Sequence, residues 1–518
     1  MLPFYTKNAE NFFLQLHFGT KPSLLLSVYY DIISLKDYPK TQKTENIMPT
    51  LTIIQNNSEK KVVFDGEKKL YELLGSADVH ADMPCGGRGV CKKCTVFIDG
   101  RTELACRYVV TKDTTVIIPD TKDIISETGI SETQEITENV CLCLDLGTTT
   151  LALALVSCDN GSIIKVKTAS NPQRKFGADV ISRIDYCSKN SPVPLRQVII
   201  EKINDMTKEL LREYGLSSCE KMYIAGNTTM LHLFYGIDCS CLGVSPYTPK
   251  FLEEKTVSAK EAGIDKVESV TTLCGVSAFV GADIVSGLYS LDVPHEAEKY
   301  SLLIDLGTNA EIVLFRKGRY LCSSAAAGPC FEGANISCGM SASIGAVSEY
   351  SIDGTYSVIG NAEPVGICAT GLIDVIASLL RKGLIDESGY MEDEEFYICR
   401  NVKITAGDIR EFQLAKSAVR SCIECLLKKE GISYDSIEKM YVAGGFSSQM
   451  NIGNAVFLGL LPKELREKFT PVNNACLKGL VKYAANKEDL SFITQNAEFF
   501  DIGTDDSFSQ LFFENMSF

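Results

Sequence analysis

Two short patterns occur twice in this chain of 518 residues, and they occur in the same order. An apolar strand, a D-L-G-T turn and a second apolar strand read CLCLDLGTTTLALALV at 141–156 and SLLIDLGTNAEIVLF at 301–315. After a helix-like segment, EKMYIAGNTTM at 220–230 is matched by EKMYVAGGFSSQM at 438–450. One such match arises easily by chance, but two in register do not, so the sequence predicts a duplicated α/β domain.

The D-L-G-T turns have the composition of a phosphate site. A glycine turn exposes backbone N–H groups, threonine hydroxyls add donors, and the aspartate holds Mg2+ through water or orients an attacking water. A single turn of this kind is also an ordinary strand connection, whereas two facing turns can clamp the β- and γ-phosphates of a nucleotide. The candidate residues are Asp145, Gly147, Thr148 and Thr149 in the first turn and Asp305, Gly307, Thr308 and Asn309 in the second, with the two aspartates in the catalytic role.

Four cysteines upstream of the duplicated region are spaced like a ligand set. They are Cys85, Cys91, Cys94 and Cys106, in the pattern C-x5-C-x2-C-x11-C. Structural zinc usually takes two C-x2-C pairs, and only one is present here. Plant-type ferredoxins use a spaced first cysteine followed by C-x2-C, and the glycines between Cys85 and Cys91 let backbone N–H groups approach the sulfurs of a cluster. The pattern favours a [2Fe–2S] cluster, with zinc as the alternative.

Composition along the chain divides it into five segments. Residues 48–119 alternate between strand-like and turn-like stretches and predict a small α+β domain, and the acidic, Ser/Thr-rich stretch 120–138 predicts a linker. The two halves of the duplicated domain are placed at 139–300 and 301–518. Residues 1–47 are expected to be a poorly ordered extension or an upstream mis-start, because "MPTLTIIQ" at Met48 resembles a natural start.

Charge and cysteine usage exclude several classes of function. The net charge is −15 and no Lys/Arg cluster is present, so the sequence predicts neither a nucleic-acid nor a membrane partner. The apolar stretch at 22–34 is too short and too interrupted to span a bilayer. Most of the 20 cysteines stand singly in apolar runs, which is typical of reduced core thiols and predicts a cytoplasmic protein.

The duplicated region resembles the superfamily of actin, sugar kinases and Hsp70 ATPases, whose two RNase-H-like halves hold ATP in a cleft. The resemblance implies ATP and Mg2+ at the two D-L-G-T turns. It also implies an adenosine-side loop at Gly444, Gly445 and Phe446. The counterpart of that loop in the first half is Gly226, Asn227 and Thr228, on the opposite side of the cleft by pseudo-symmetry.

The N-terminal cysteine segment resembles the β-grasp ferredoxins. The combination of such a segment with an ATPase of this kind indicates a smaller group of proteins than either part alone. With SNPQRKFGADVISRI, AGNTTMLHLFYGI and VAGGFSSQMNIGNA, the chain is similar over about 48–490 to the reductive activators of corrinoid proteins in the methyltransferase systems of anaerobes. Some larger relatives carry a further domain after the linker, for which this chain has no room. Other activators carry C-terminal [4Fe–4S] ligands, and the last cysteine here is Cys476.

This resemblance implies ATP-dependent transfer of one electron from the [2Fe–2S] cluster to Co(II), which regenerates Co(I). The implied partners are a corrinoid protein as acceptor and an unspecified reductase or ferredoxin as donor, and a homodimer is one option. The alternatives are an activator of another low-potential system and a redox-sensing ATP-binding switch. For two groups of residues the sequence does not decide between a role in the cleft and a role at the surface. They are the charged residues Arg174, Lys175, Asp179 and Arg183, and the pair Glu332 and Gly333.

Overall fold

The computed structural model describes residues 48–55, 58–77, 79, 94–98, 101–118, 132–133, 139–291 and 298–518. The predicted extension 1–47, the candidate ligands Cys85 and Cys91, and most of the predicted linker 120–138 lie outside the described residues. Thr50–Phe518 forms one unit by its internal contacts. No helix in the described part of the chain is both long enough and apolar enough to cross a membrane.

In its described residues, the N-terminal segment forms a five-stranded mixed sheet, a separate two-stranded sheet and one short helix. Its elements are β1 (Thr50–Gln55), β2 (Ser58–Val63), β3 (Lys68–Lys69), α1 (Leu70–Ser76), β4 (Thr95–Ile98), β5 (Arg101–Leu104), β6 (Val109–Val110) and β7 (Thr114–Ile117). The strand order is β2-β1-β7-β4-β5, with β1 parallel to β7 and antiparallel to β2. Leu51, Ile53, Leu70 and Val116 are buried in its core.

The first half of the duplicated region is built on a six-stranded sheet in the order β10-β9-β8-β11-β13-β12. The strands are β8 (Val140–Leu146), β9 (Thr150–Ser157), β10 (Ile163–Ser170), β11 (Cys219–Gly226), β12 (Lys255–Ser258) and β13 (Val267–Thr272). The helices are α2 (Val180–Lys189), α3 (Val193–Glu213), α4 (Thr228–Tyr235), α5 (Ala259–Ala262) and α6 (Ala282–Ser290). β8 and β9 are almost continuously apolar because helices cover the sheet.

The second half contains a matching sheet in the order β23-β22-β14-β15-β16-β24, with smaller sheets attached. Its strands are β14 (Tyr300–Leu306), β15 (Ala310–Arg316), β16 (Arg319–Ala325), β17 (Ala346–Tyr350), β18 (Tyr356–Val358), β19 (Gly366–Ile367), β20 (Glu395–Cys399), β21 (Val402–Thr405), β22 (Ile437–Ala443), β23 (Phe469–Pro471) and β24 (Ala497–Phe499). Its helices are α7 (Ala369–Arg381), α8 (Ala406–Glu430), α9 (Ile452–Phe457), α10 (Ala475–Asn486), α11 (Ser491–Gln495) and α12 (Phe508–Glu514).

Five strands of each large sheet share one order: β10-β9-β8-β11-β13 in the first corresponds to β16-β15-β14-β22-β23 in the second. The sixth strands differ, because β12 pairs antiparallel with β13 and β24 pairs parallel with β16 at the other edge. β8 is antiparallel to β9 and parallel to β11, and β14 is antiparallel to β15 and parallel to β22. β10 and β16 each extend the antiparallel side. The duplicated α/β fold predicted from the repeated patterns is therefore confirmed.

Helix α10 crosses from the second half to the first. It packs against α6 and against β8 and β11, and its apolar side chains join the core of the first sheet. The crossing is close, because a Cβ on Gly479 would lie 1.8 Å from the carbonyl oxygen of Ser286. The hydroxyl of Ser286 donates to the carbonyl of Cys476 at 2.7 Å, which holds the two helices in register.

Candidate nucleotide site

The two D-L-G-T turns lie at corresponding places in the two sheets. Each joins the first two strands of its half, so Asp145 stands at the end of β8 and Asp305 at the end of β14. The parallel neighbours end at the same level: Ala225 pairs with Asp145, and Ala443 pairs with Asp305. The carboxyl ends of parallel strands are the edge where open α/β sheets bind ligands.

The A-G dipeptides at the ends of β11 and β22 allow these strand ends to approach β8 and β14 closely. A Cβ on Gly226 would lie 2.6 Å from the carbonyl oxygen of Leu146, and a Cβ on Gly444 would lie 2.4 Å from that of Leu306. Gly444 also has φ of 109°, which favours glycine. Both glycines are therefore required by the packing of strand ends beside the D-L-G-T turns.

The predicted adenosine-side loop divides into an open and a buried part. A Cβ on Gly445 would meet no atom within 4 Å, so this residue borders open space. The ring of Phe446 is instead buried in the core of the second half, where its centroid lies 5.4 Å from that of Phe331. The aromatic side chain thus supports the loop from beneath.

Three side chains from outside the turn hold the first D-L-G-T turn. Asn171 Nδ2 donates to the carbonyl of Gly147 at 2.8 Å, and Asn227 Nδ2 donates to Thr148 Oγ1 at 2.8 Å. Arg183 Nη2 donates to the carbonyl of Thr148 at 2.6 Å. Asn171 was not among the predicted site residues, although it lies in the same segment, SNPQRKFGADVISRI, as Arg183.

Arg183 is fully buried beneath the turn. Its Nε donates to the carbonyl of Gly177 at 2.9 Å and its Nη1 to Gln173 Oε1 at 3.3 Å. Burial, with Arg174 nearby, lowers the pKa of the Arg183 guanidinium to about 9, so it remains charged at neutral pH. Of the two roles left open for this residue, the structure excludes an exposed position on the surface.

Glu332 connects the two turns. Its Oε2 accepts a hydrogen bond from Thr149 Oγ1 at 2.8 Å, and its Oε1 accepts from the N–H and the hydroxyl of Thr308 at 3.1 Å and 2.6 Å. Glu332 is the last residue of a 3-10 turn, Pro329–Glu332, that follows β16. One carboxylate from the second half therefore takes donors from both candidate phosphate turns.

Four carboxyl groups gather beside the turns. Burial raises the pKa of Asp145 to about 7 and of Asp305 to about 6, and burial together with the charge of Asp305 raises the pKa of Asp283 to about 7. The pKa of Glu311 is raised well above its usual range by burial and by Asp283 and Asp305. Each of these residues keeps part of its surface exposed, so solvent or a ligand can reach the group. Asp283 and Glu311 were not predicted, because Asp283 belongs to no repeated pattern and Glu311 stands in the repeated stretch 301–315 at a position where the first copy has Leu151.

Cys476 of α10 reaches the same cluster. Its thiol hydrogen-bonds to the carboxyl group of Asp145, which opposes the effect of burial on the pKa of that carboxyl. The pKa of Cys476 itself is raised well above its usual range by burial and by the neighbouring carboxylates. The crossing of α10 thus adds a neutral donor to the base of the cleft.

Of the predicted cluster ligands, Cys94 and Cys106 are described. Cys94 directly precedes β4. Cys106 lies two residues after Leu104, the last residue of β5. These strands pair as a hairpin, and Ala105 N donates to the carbonyl of Cys94 at 2.8 Å, so both cysteines lie at the same end of the hairpin. Both side chains are buried in the N-terminal core.

Family models match the whole duplicated region. A model described as the RACo middle region matches residues 140–296, and one described as the C-terminal domain of RACo, the ASKHA domain, matches residues 299–518. These matches and the repeated sheets define the region as an ATPase-type domain of the ASKHA class, which includes the actin and sugar-kinase folds.

Comparison with individual proteins identifies the family within this class. The corrinoid activation enzyme RamQ of Eubacterium limosum is 30% identical over 423 residues, covering 73% of this chain and 70% of that protein. The [Co(II) methylated amine-specific corrinoid protein] reductase of Methanosarcina barkeri is 26% identical over 418 residues, covering 73% and 76%. A solved reductive activator for a corrinoid, iron-sulfur protein superposes with a TM-score of 0.67 at 26% identity, covering 90% of this chain and 98% of that one. The chain belongs to the family of corrinoid activation enzymes.

Proposed function

We propose that this protein is an ATP-dependent activase that returns the cobalt of a corrinoid protein from Co(II) to Co(I). The observation that carries the proposal is the meeting of both D-L-G-T turns at one cluster of carboxylates, in a chain of this family. RamQ is named a corrinoid activation enzyme, and the Methanosarcina protein is named a reductase of a Co(II) corrinoid protein.

The donors of the two turns suit the phosphates of ATP. We assign phosphate contacts to the backbone and hydroxyl groups of Gly147, Thr148 and Thr149 in the first turn and of Gly307, Thr308 and Asn309 in the second. Asn171, Asn227 and Arg183 hold the first turn in place from below. We assign the nucleoside side to the open space beside Gly445.

The carboxylates beside the turns suit Mg2+ held through water, because in the described part of the chain no three His, Cys, Asp or Glu side chains lie close enough together to bind a metal ion directly. Burial and mutual repulsion disfavour several ionised carboxylates at one place, and a divalent cation bound through oxygen ligands relieves both. Asp145 and Asp305 are the residues that would hold the ion, through water, beside the turns. When bound, Mg2+ neutralises charge on the transferred phosphate.

The N-terminal sheet is consistent with a β-grasp ferredoxin domain, in which a helix follows an antiparallel hairpin and the first and last strands are parallel. Cys94 and Cys106, buried at one end of the β4–β5 hairpin, would supply two ligands of a [2Fe–2S] cluster. Cys85 and Cys91, outside the described residues, would supply the others. When bound, the cluster supplies the single electron that reduces Co(II).

The ATPase domain does not need to lie on the path of electron transfer. Nucleotide-dependent closure of the cleft changes the surface offered to the corrinoid protein. Preferential binding of a cobalt state that is more easily reduced then raises the reduction potential of the cobalt. A coupling of about 1.4 kcal/mol shifts such an equilibrium tenfold. A reductase or ferredoxin would act as donor, the site of action would be the cytoplasm, and a homodimer remains one arrangement.

The test measures Co(I) by its visible absorption when the full chain, a corrinoid protein, a low-potential reductant and ATP are combined without oxygen. Asp145→Asn and Asp305→Asn should each slow both ATP hydrolysis and Co(I) formation by about 100-fold, because charge at the Mg2+ site is lost. Asp205→Asn, on the exposed face of α3, is the matched control. ATP binding without any Co(I) would contradict the proposal and favour a redox-sensing switch.

A further inference from the structure

The carboxylate of Glu332 sits where a phosphate oxygen is expected. It accepts from Thr149 Oγ1 at 2.8 Å and from Thr308 Oγ1 and N at 2.6 Å and 3.1 Å. These are the same donors to which the phosphates are assigned above. Like a phosphate, the carboxylate is an anion with more than one accepting oxygen, so it satisfies both turns at once.

Glu332 and a nucleotide phosphate compete for these donors. Each threonine hydroxyl and each backbone N–H has a single proton to donate. A bound phosphate would therefore take bonds that Glu332 now accepts, and two anions at hydrogen-bond distance repel each other. The carboxylate has to leave when the terminal phosphate arrives.

We infer that Glu332 is a latch displaced by nucleotide: it ties Thr149 to Thr308 in the absence of ATP, and the terminal phosphate releases it. This inference rests on the proposed nucleotide site and adds a residue that converts the arrival of phosphate into movement of one segment. It assigns Glu332 a positioning role, without a direct part in hydrolysis.

The segment that carries Glu332 is placed to pass the movement on. It is flanked by Gly328 and Gly333, with φ of 76° and 75°, so both ends of the 3-10 turn rely on glycine backbone. The preceding residue, Phe331, packs on Phe446 of the Gly444–Gly445 loop and on Phe412 of α8, at centroid distances of 5.4 Å and 6.1 Å. Release of Glu332 therefore acts on the loop assigned to the nucleoside and on the longest helix of the second half.

The experiment uses the full chain with Mg2+ and compares a non-hydrolysable ATP analogue with ADP by calorimetry. Glu332→Ala should bind the analogue about 10-fold more tightly than the wild type and should change ADP binding less, because only the terminal phosphate competes for the donors. Glu332→Gln keeps an acceptor without the charge, so its affinity for the analogue should lie between those of the wild type and Glu332→Ala. Glu363→Ala, an exposed carboxylate in the same half, should leave both affinities unchanged.

Hydrogen exchange of residues 328–340 gives a second readout. In the wild type, exchange in this segment should rise when the analogue binds, and in Glu332→Ala it should already be high without nucleotide. Unchanged or weaker analogue binding in both Glu332 variants would overturn the latch. Reduced turnover of ATP with unchanged affinity would instead make Glu332 a catalytic residue. Failure of the wild type to bind ATP at all would refute the proposed function and the latch together, whereas the outcomes above refute the latch alone.

Discussion

Arg183 Nη2 donates a 2.6 Å hydrogen bond to the carbonyl oxygen of Thr148, so a fully buried guanidinium supports the middle of the first D-L-G-T turn. The same group binds the carbonyl of Gly177 and the side chain of Gln173. The segment 170–184 therefore supports the turn from inside the core, and the buried charge of Arg183 has a structural role there.

Replacing Arg183 by Met should destabilise the protein by about 2–4 kcal/mol, because buried carbonyl acceptors lose their donor. Since the carbonyl of Thr148 is one of them, ATP affinity should fall as well. Denaturant unfolding and calorimetry measure the two effects. Lys189→Met, which removes an exposed cation of the same helix that pairs with Asp185, should cost about 0.5 kcal/mol or less. A wild-type stability for Arg183→Met would show that the network carries no net energy.

The neighbouring glycines 444 and 445 should respond differently to alanine. In Gly444→Ala the new Cβ meets the carbonyl of Leu306 at 2.4 Å in a backbone conformation with φ of 109°, so we expect a loss of about 2–4 kcal/mol in unfolding free energy. Gly445→Ala has no atom to meet within 4 Å and should fold normally. If the nucleoside occupies that open space, Gly445→Ala weakens ATP binding without loss of stability. Equal stabilities for the two variants would contradict the close approach of β14 and β22.

Cys106→Ser should abolish the visible spectrum of the protein purified without oxygen and lower its iron content, because a [2Fe–2S] cluster holding about two irons needs four thiolate ligands. Cys241→Ser, a partly buried cysteine of the first half, is the matched control and should keep both. Metal analysis that finds zinc in the wild type would replace the redox assignment by a structural one. Iron retained in full by Cys106→Ser would remove Cys106 from the ligand set.

His232 should make the protein less stable in mild acid. Its Nδ1 donates to the carbonyl of Thr228 at 2.7 Å and its Nε2 accepts from the N–H of Lys250 at 3.0 Å, so the ring has to be neutral. Burial lowers its pKa below the usual 6.5. The unfolded chain therefore binds the proton first, and stability present above pH 6.5 is lost as the pH falls toward the folded pKa.

The measurement is the unfolding free energy between about pH 7.5 and pH 5.5, taken as the difference between the wild type and His232→Asn. Asparagine keeps a donor toward Thr228 but does not titrate. The wild type should lose stability relative to the variant as the pH falls, with a slope of at most about 1.4 kcal/mol per pH unit. Taking the difference cancels the titration of the cleft carboxylates, and parallel curves would show that His232 tolerates the proton.

The amino-acid sequence by itself determined the parts of this protein that depend on neighbouring residues. The two D-L-G-T turns, the two A-G dipeptides and the apolar strands before them are local patterns, and their repetition indicated two sheets whose central strands have the same order. The placement of Asp145 beside Asp305 follows from that symmetry.

Only the tertiary structure decided the contacts between distant segments. Glu332 meets Thr149 across 183 positions, and Cys476 meets Asp145 because α10 returns to the first sheet. Arg183 belongs to a charged stretch that is typical of a surface, and its buried acceptors offset only part of the cost of desolvating it. A local pattern fixes the backbone of a turn or strand. Which side chain fills the space beside it depends on how whole helices and sheets pack, and sequence spacing does not record that.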